Sequence, residues 1–246
     1  MDNAARMRQR VLALFLPLAA VLYVSAEALD PKGTDRVLST MSDALKVLPI
    51  AARHPGQLYV SGSLSLLALG ALAVSYAAIA TLVRGRGSII ATIAALLGGL
   101  GAFCGALVNV LVGVNLAAAA TAHMTRDAAA RFLVTSFNSG FEHVFSGVYF
   151  AGIFVAPVLM GFALWRSRSV QRWLAVLFVI GLEIAQQVPS AGPVPVVVLM
   201  LPFAVAMLLL AARTWQAATQ PASSGGVPTE VTMPERLVRD AAAYGR

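Results

Sequence analysis

The sequence predicts an all-α polytopic membrane helix bundle of about six transmembrane helices, with short amphipathic outer helices. Of the 246 residues, 59% are hydrophobic and only 12% are charged, whereas about 25% of residues are charged in soluble domains. In addition, six segments are apolar over roughly the 20 residues that a helix needs to cross the hydrocarbon core. These predicted spans lie near 11–29, 58–83, 89–115, 141–165, 173–190 and 193–212.

The placement of arginine orients these spans. Two short basic turns, 84–87 and 166–169, each connect two long apolar runs. Together with Arg172, the N-terminus and the segment from Arg213 onward, they carry 12 of the 18 Lys and Arg residues, against 6 on the opposite side. Because Lys and Arg concentrate on the cytoplasmic side of membrane proteins, we predict a multi-pass protein of the cell membrane with both termini in the cytoplasm. The net charge of +7 is then an orientation signal, and we predict no nucleic-acid binding.

The first span has an alternative interpretation. Arginines within 6–10, an apolar stretch at 11–24 and the small residues around Glu27 are also typical of a signal peptide that is cleaved after about residue 28. The apolar stretch is long for a signal peptide, which favours a span. Cleavage would leave the orientation of the other spans unchanged.

Both long outer loops are predicted to contain an amphipathic helix. In the first loop, 30–57, apolar residues recur at helical spacing after a candidate N-cap at Thr34, and Pro49 and His54-Pro55-Gly56 are expected to end the helix. In the second loop, Thr125 is expected to cap a short helix. We expect both helices to lie at the outer membrane interface.

Span three is rich in small residues. Gly and Ala recur at helical spacing from Ala94 to Gly105, and Gly101 and Gly105 form a Gly-x-x-x-Gly motif. Small residues let helix backbones approach closely, so we expect span three to lie at the centre of the bundle in contact with at least three other spans. The same motif is also typical of a homodimer interface, here through Gly101 and Gly105.

The amino-acid composition along the chain indicates one membrane domain followed by a tail. The six-helix transmembrane domain is predicted to occupy 1–215. Residues 216–246 are predicted to form a disordered cytoplasmic tail, because Pro, Ser, Gly and Thr are frequent in 216–232. The single cysteine, Cys104, lies inside an apolar run, so no disulfide can form within the chain.

Polar side chains inside the spans are the candidate functional residues, because they are costly in a bilayer. Span four carries them at i, i+4, i+8 and i+11, and span five carries a second stripe that begins at Glu183. Counted from Trp173 at 1.5 Å per residue, Glu183 lies roughly 15 Å deep, near the membrane midplane. We predict an outward-facing polar recess lined by Glu183, Gln186, Gln187, Glu142, Ser146, Tyr149, Asn109 and Asn138.

Glu183 can be interpreted in two ways. It can anchor a ligand or donate a proton at the floor of the recess, or it can hold the bundle together through a hydrogen bond to a neighbouring span. No Lys or Arg lies at its depth in any predicted span, so we expect its carboxyl group to be neutral at pH 7. Because the sequence lacks metal-ligand spacing, a phosphate-binding glycine loop and a serine-hydrolase motif, we predict no metal and no cofactor.

The order of these features resembles a broad group of multi-pass membrane proteins common in actinobacteria. The resemblance rests on the outer loop followed by His54-Pro55-Gly56, on 82–87, on the Gly- and Ala-rich third span and on 164–168. It covers most of 1–215 and implies a bacterial inner membrane. It implies no activity and no site residues.

Three functions remain open at this point. The leading hypothesis is a protein that binds a small or amphipathic ligand, such as a lipid-like molecule, or a partner protein through the recess. An intramembrane enzyme that acts on a lipid or isoprenoid, with Glu183 and Glu142 as acid and base, is the first alternative. A small transporter is the second.

Overall fold

The computed structural model describes residues 3–31, 38–187 and 193–219, apart from the side chains of 141, 142, 186, 187, 193 and 194. Every regular element in this part is a helix, which confirms the predicted all-α membrane bundle. The helices are α1 (Asn3–Leu29), α2 (Met41–Arg53), α3 (Pro55–Ala80), α4 (Ser88–Thr121), α5 (Arg126–Phe137), α6 (Gly140–Ser167), α7 (Arg172–Gln187) and α8 (Pro193–Thr219).

Five of the described helices, α1, α3, α4, α6 and α8, are long and apolar enough to cross a membrane. The chain is therefore a multi-pass membrane protein. Helix α7 has 16 residues, about 24 Å of helix, against a hydrocarbon core of about 30 Å. The predicted span 173–190 ends three residues beyond α7, outside the described residues.

Helix α7 and the five long helices together form a closed ring. In the order α1, α3, α4, α6, α7, α8, each packs against the next, and α8 packs back against α1. Tyr23 of α1 meets the edge of Phe203 of α8 at this closure, with ring centroids 6.0 Å apart. Although α7 is short, it packs against both α6 and α8 in the ring.

The small residues of α4 make two close contacts. Gly98 faces the ring of Tyr76 on α3, and Gly101 faces the backbone of Gly152 on α6. The expectation that this span contacts at least three others is wrong in the described part, where α4 packs closely against only α3 and α6 among the long helices. The glycines cover two flanks of α4, and its remaining flank carries exposed Leu96, Leu100 and Phe103.

The Gly-x-x-x-Gly motif is used within the chain. A Cβ atom on Gly101 would lie 2.5 Å from Cα of Gly152, and one on Gly105 would collide with the Tyr149 ring. Both glycines are therefore buried under α6. In this chain the motif serves a helix contact inside one bundle, and a homodimer stays a prediction.

The basic turns, the start of α1 and the end of α8 lie at one end of the ring, which we call the elbow end. Arg10 of α1 stacks over Trp215 of α8 at 5.7 Å. Arg213 of α8 lines the same cavity as Arg84 of the first basic turn and Ser167 of the second. The described part of the chain therefore begins and ends at the same end of the bundle.

The opposite end, the cap end, carries α2 and α5. These helices pack on each other and on α4, and buried Val47, Leu116 and Leu133 belong to one apolar cluster there. The cap on α5 is confirmed, because Thr125 Oγ1 accepts a hydrogen bond from the Ala128 amide at 3.3 Å. The apolar faces of both amphipathic helices are thus buried against each other and against α4, on one side of the cap end.

The start of α2 differs from the prediction. Thr40 is its N-cap, with its Oγ1 accepting a hydrogen bond from the Asp43 amide at 3.2 Å. The predicted cap, Thr34, lies outside the described residues. Thr40 satisfies the same rule for a hydroxyl cap, and it directly precedes the residues that α2 buries.

Helix α2 also continues through Pro49 to Arg53 instead of ending there. Proline has no amide hydrogen, so the carbonyl of Leu45, four residues earlier, loses its partner within the helix. Nη2 of Arg126 on α5 donates a hydrogen bond to this carbonyl oxygen at 2.7 Å. The neighbouring helix therefore supplies the bond that proline removes.

The last helix is longer than predicted. Helix α8 ends at Thr219, so residues 216–219, which we assigned to the tail, are helical. The rest of the predicted tail, 220–246, lies outside the described residues.

Candidate functional site

Tyr76 and Glu183 each bury a polar atom that has no hydrogen-bond partner in the described part of the chain. These atoms are the Tyr76 hydroxyl oxygen and Glu183 Oε1. Tyr76 is only 2% exposed, and its ring is fixed between Gly98 of α4 and the edge of Phe178 of α7, with ring centroids 6.4 Å apart. The Glu183 side chain is half-buried. A buried polar group without a partner costs about 1–3 kcal/mol, so both atoms require an explanation.

The two groups converge. Helix α3 runs from the cap end to the elbow end, whereas α7 runs the opposite way. Side chains lean toward the N-terminus of their own helix, so Tyr76 leans toward the cap end and Glu183 leans toward the elbow end. Consistent with this geometry, the Glu183 carboxyl group interacts electrostatically with the Tyr76 hydroxyl.

A second tyrosine and glutamate pair lies nearer the cap end. Tyr149 of α6 packs its ring on Gly105 of α4 and interacts electrostatically with Glu27 of α1. Because Gly98 and Gly105 are seven residues apart on α4, the two pairs differ in depth by roughly 10 Å. In the ring order, α1 and α6 occupy opposite places, and so do α3 and α7. Each pair therefore joins two helices on opposite sides of the ring, and the interaction between its side chains runs through the interior.

A third polar contact lies at the cap end itself. The hydroxyl of Ser61, which is only 5% exposed, donates a hydrogen bond to Asp30 Oδ1 at 3.2 Å. Asp30 follows the last residue of α1, one helical turn beyond Glu27. Carboxyl groups thus occur at three depths, from the cap end to the middle of the ring.

Two further predicted residues fit this arrangement through helix register. Helices α4 and α6 are antiparallel, with Gly101 opposite Gly152 and Gly105 opposite Tyr149. This register places Asn109 opposite Ser146, one turn nearer the cap end. Both residues are half-buried. The structure therefore brings Tyr149, Asn109 and Ser146 to neighbouring positions between two helices.

Of the other predicted recess residues, Asn138 lies outside the ring interior, and three have side chains that the structure does not describe. Asn138 is not on the face of α6, because α5 ends at Phe137 and α6 begins at Gly140. Its Nδ2 donates hydrogen bonds to the carbonyls of Val134 at 2.9 Å and Ser39 at 3.2 Å, so it closes α5 and ties it to the segment before α2. The side chains of Glu142, Gln186 and Gln187 are not described.

Sequence reasoning missed Tyr76, Glu27 and Asp30. Glu27 was assigned to the end of the first span, Asp30 to the start of the first outer loop, and Tyr76 to an apolar run. An ionisable residue inside or at the end of a span is itself a signal of function. Glu27 is such a residue and could have been identified on that ground. Nothing in the sequence pairs Tyr76 with Glu183, because α3 and α7 face each other only once the ring has closed.

The site is acidic and rich in hydrogen-bond acceptors. Within the described helices, Lys and Arg occur toward the two ends of the ring and not at the depth of Tyr76 and Glu183. Carboxylates and phenol oxygens accept hydrogen bonds, and carboxylates attract cations. The arrangement therefore suits a ligand that donates hydrogen bonds or carries positive charge.

Comparisons with known proteins do not assign the site. Neither protein-family models nor curated proteins nor solved structures give a significant match to the chain. The resemblance to membrane proteins of actinobacteria stays a prediction. The fold and the site are therefore interpreted from their own geometry.

Proposed function

We propose that this membrane protein binds a small amine or another small ligand with hydrogen-bond donors inside the helix ring. The observation that carries the proposal is the pair of enclosed atoms without a partner, the Tyr76 hydroxyl and Glu183 Oε1. A buried polar group without a hydrogen-bond partner in a native protein requires an explanation, and a bound ligand that donates hydrogen bonds supplies one. An ammonium group between them would donate to both oxygens at once.

The direction of entry supports the same proposal. Asp30, Glu27 and Glu183 lie at successively greater depth from the cap end, whereas the elbow end carries arginines. The cap end also carries four Lys and Arg residues, on α2 and α5, but in the described part of the chain carboxylates accompany them there and none lies at the elbow end. A cation is therefore repelled more strongly at the elbow end than at the cap end. An amphipathic amine also fits, with its polar group among the carboxyl groups and its apolar part against the helices.

We further propose that the elbow end faces the cytoplasm of a bacterial cell and that the ring opens outward at the cap end. The support is the concentration of arginine at the elbow end, where α1, both basic turns and α8 contribute. In this arrangement α7 is the sixth crossing, and both ends of the described chain are cytoplasmic.

Cysteine labelling tests the orientation. In a Cys104→Ala background, Ser42→Cys on α2 and Ser169→Cys in the second basic turn present two exposed thiols at opposite ends. We expect a membrane-impermeant maleimide added to intact cells to label the first and spare the second, and to label both after the cells are permeabilised. Labelling of Ser169→Cys alone in intact cells would show that the protein has the opposite orientation in the membrane.

Binding of defined amines tests the function. We expect a series of primary alkylammonium ions to raise the melting temperature of the protein in lipid nanodiscs, with the matched alkyl carboxylates having no effect. Glu183→Gln and Tyr76→Phe should each weaken the apparent affinity about tenfold, which is the effect of losing about 1.4 kcal/mol from one charged hydrogen bond.

Asp127→Asn is the matched control for charge. Asp127 is an exposed carboxylate on α5, outside the ring, so its removal should leave ammonium binding unchanged. Equal effects of carboxylates and ammonium ions, or equal loss in Asp127→Asn and Glu183→Gln, would contradict a site inside the ring.

The geometry does not favour an enzyme that uses Glu142 and Glu183 as acid and base. Glu142 is in the first turn of α6 at the cap end, 25 residues before the end of that helix, whereas Glu183 is 11 residues into α7. At 1.5 Å per residue, these positions differ in depth by roughly 20 Å. Paired catalytic carboxyl groups lie about 5–10 Å apart.

A further inference from the structure

A groove between α1 and α8 lies at the elbow end, on the outer surface of the ring. It has a volume of about 480 Å³ and is lined by residues within 3–14 of α1 and by Trp215 of α8. The face of α1 that packs inside the bundle includes buried Ala13 and Leu16, whereas Val11 and Leu14, which line the groove, are 47% and 57% exposed. Because residues two apart on a helix point in nearly opposite directions, the groove faces away from the tyrosine and glutamate pairs and is a different site.

The lining of the groove changes from polar to apolar along α1. Its polar residues on this helix are Asn3, Arg6 and Arg10, and its apolar residues are Met7, Val11 and Leu14. The polar residues lie nearer the start of α1, and the last two apolar residues lie deeper in the bundle. At 1.5 Å per residue, the lining extends over roughly 16 Å of helix. The groove therefore offers hydrogen-bond donors at the elbow end and an apolar wall below them.

The two arginines are placed to hold one anionic group. Arg6 and Arg10 are on successive turns of the same side of α1, so their Cβ atoms lie about 5–6 Å apart. Both side chains lean toward the N-terminus of α1, at the elbow end. The guanidinium group of Arg10 stacks over the Trp215 ring at 5.7 Å. Stacking uses the flat face of this group, whereas its N–H groups point outward in the plane and can donate to the oxygens of a phosphate group.

The charges around the groove favour an anion. In the described part of the chain, neither Arg6 nor Arg10 forms an ion pair, and no carboxylate lies at the elbow end. An anion that enters the groove is therefore attracted by two guanidinium groups without competition from a described carboxylate.

The depth of the groove identifies this anion as part of a lipid. Trp165, Trp173 and Trp215 lie at the elbow end and are exposed, and tryptophan concentrates at the level of lipid headgroups. A soluble anion would match only the polar part of the groove. A phospholipid matches both parts, because its phosphate group lies at the level of the tryptophans and its acyl chains extend toward the membrane midplane, past Val11 and Leu14.

We propose that this groove binds an anionic phospholipid, with Arg6 and Arg10 holding its phosphate group and with Val11 and Leu14 contacting one acyl chain. The bound lipid contacts α1 and α8 where the ring closes, so it should also stabilise the closed ring. The proposal does not depend on which side of the membrane the elbow end faces.

Native mass spectra of the protein in detergent test this proposal with two lipids that have the same acyl chains, phosphatidylglycerol and phosphatidylcholine. We expect saturable binding of phosphatidylglycerol at least tenfold tighter than that of phosphatidylcholine, because the positive charge of choline offsets the attraction of the phosphate group to the arginines. Phosphatidylglycerol should also raise the melting temperature of the protein in the same detergent.

Arg8→Gln is the matched control for charge. Arg8 is an exposed residue of α1 between the two arginines of the groove, and it does not line the groove. Arg6→Gln and Arg10→Gln should each weaken the binding of phosphatidylglycerol about tenfold, the effect of losing one charged hydrogen bond. Arg8→Gln should bind this lipid as the parent does.

Two variants of Met7 test the site without removing an arginine. Met7 is 69% exposed, so its replacement leaves the core of the bundle unchanged. Met7→Glu should abolish the binding of phosphatidylglycerol, because it places a carboxylate beside both guanidinium groups. Met7→Gln has nearly the same shape without the charge, and it should bind nearly as the parent does.

Three results would overturn the proposal. Equal binding of the two lipids by the parent protein would show that the arginines do not select the headgroup. Equal losses in Arg6→Gln and Arg8→Gln would show only general attraction to a basic surface. A dimer in the same spectra that is lost in Leu14→Ala would show that a second copy of the chain occupies the groove.

Discussion

Gly101→Ala is expected to lower the free energy of unfolding by about 2 kcal/mol, because one added methyl group separates two helices. A Cβ atom at this position would lie 2.5 Å from Cα of Gly152 and 3.2 Å from its amide nitrogen. Backbone atoms cannot rotate away as a side chain can, so α4 and α6 must move apart. Tyr149, which rests on Gly105 one turn away, would lose packing in the same movement.

Gly99→Ala is the matched control on the same helix. The closest atom that its Cβ would meet is the carbonyl oxygen of Ala73 at 4.0 Å, which is an ordinary contact. Alanine has the higher helix propensity by about 1 kcal/mol, so this variant should be as stable as the parent or more stable. Equal melting of the two variants, measured by circular dichroism in detergent, would show that α4 and α6 do not cross at Gly101.

Tyr76→Phe and Glu183→Met are expected to stabilise the ligand-free protein, each by about 1–2 kcal/mol. Each change keeps most of the side-chain volume and removes a buried polar atom that has no partner in the described structure. Because the two groups interact with each other, the gains should not be additive in the double variant. The same variants should bind ammonium ions more weakly, so stability and binding would change in opposite directions.

Ser75→Ala is the control for this prediction. Ser75 precedes Tyr76 and is fully buried, but its hydroxyl donates a hydrogen bond to the Ala71 carbonyl at 2.8 Å. Its removal should therefore change stability little. A lower melting temperature for Tyr76→Phe than for the parent would mean that the Tyr76 hydroxyl is hydrogen-bonded in the ligand-free protein, and the main support for the proposed function would be lost.

The parts of the fold that were predictable depend on local patterns. Apolar run length gives the long helices, the arginine-rich turns give the hairpins, and the hydroxyl before an amphipathic segment gives the cap of α5 at Thr125. Local patterns do not predict the course of α2 at Pro49. A proline inside a helix is normally unfavourable, and in α2 the hydrogen bond from Arg126 of the distant helix α5 compensates for it.

The candidate site was predictable in part for the same reason. Glu183 is noticeable in the sequence because it is an acidic residue within an apolar run, and Tyr149 belongs to a regular polar stripe. Asn138 was extrapolated into that stripe across a helix boundary that the spacing does not reveal. The partners Tyr76 and Glu27 depend on which helices are opposite in the ring, and helix order in a bundle is set by packing between distant segments.

Closure of the ring between α1 and α8 fixes the order in which the bundle can assemble during synthesis. Tyr23 and Phe203 meet across this closure, about 180 residues apart in sequence, which a ribosome adding about 5–20 residues per second needs roughly 10–40 seconds to make. Throughout that interval α1 can pack against α3, while its second face stays exposed to lipid or to an insertion factor. The buried residues on that face, including Tyr23, therefore acquire their native neighbours only after α8 has been made.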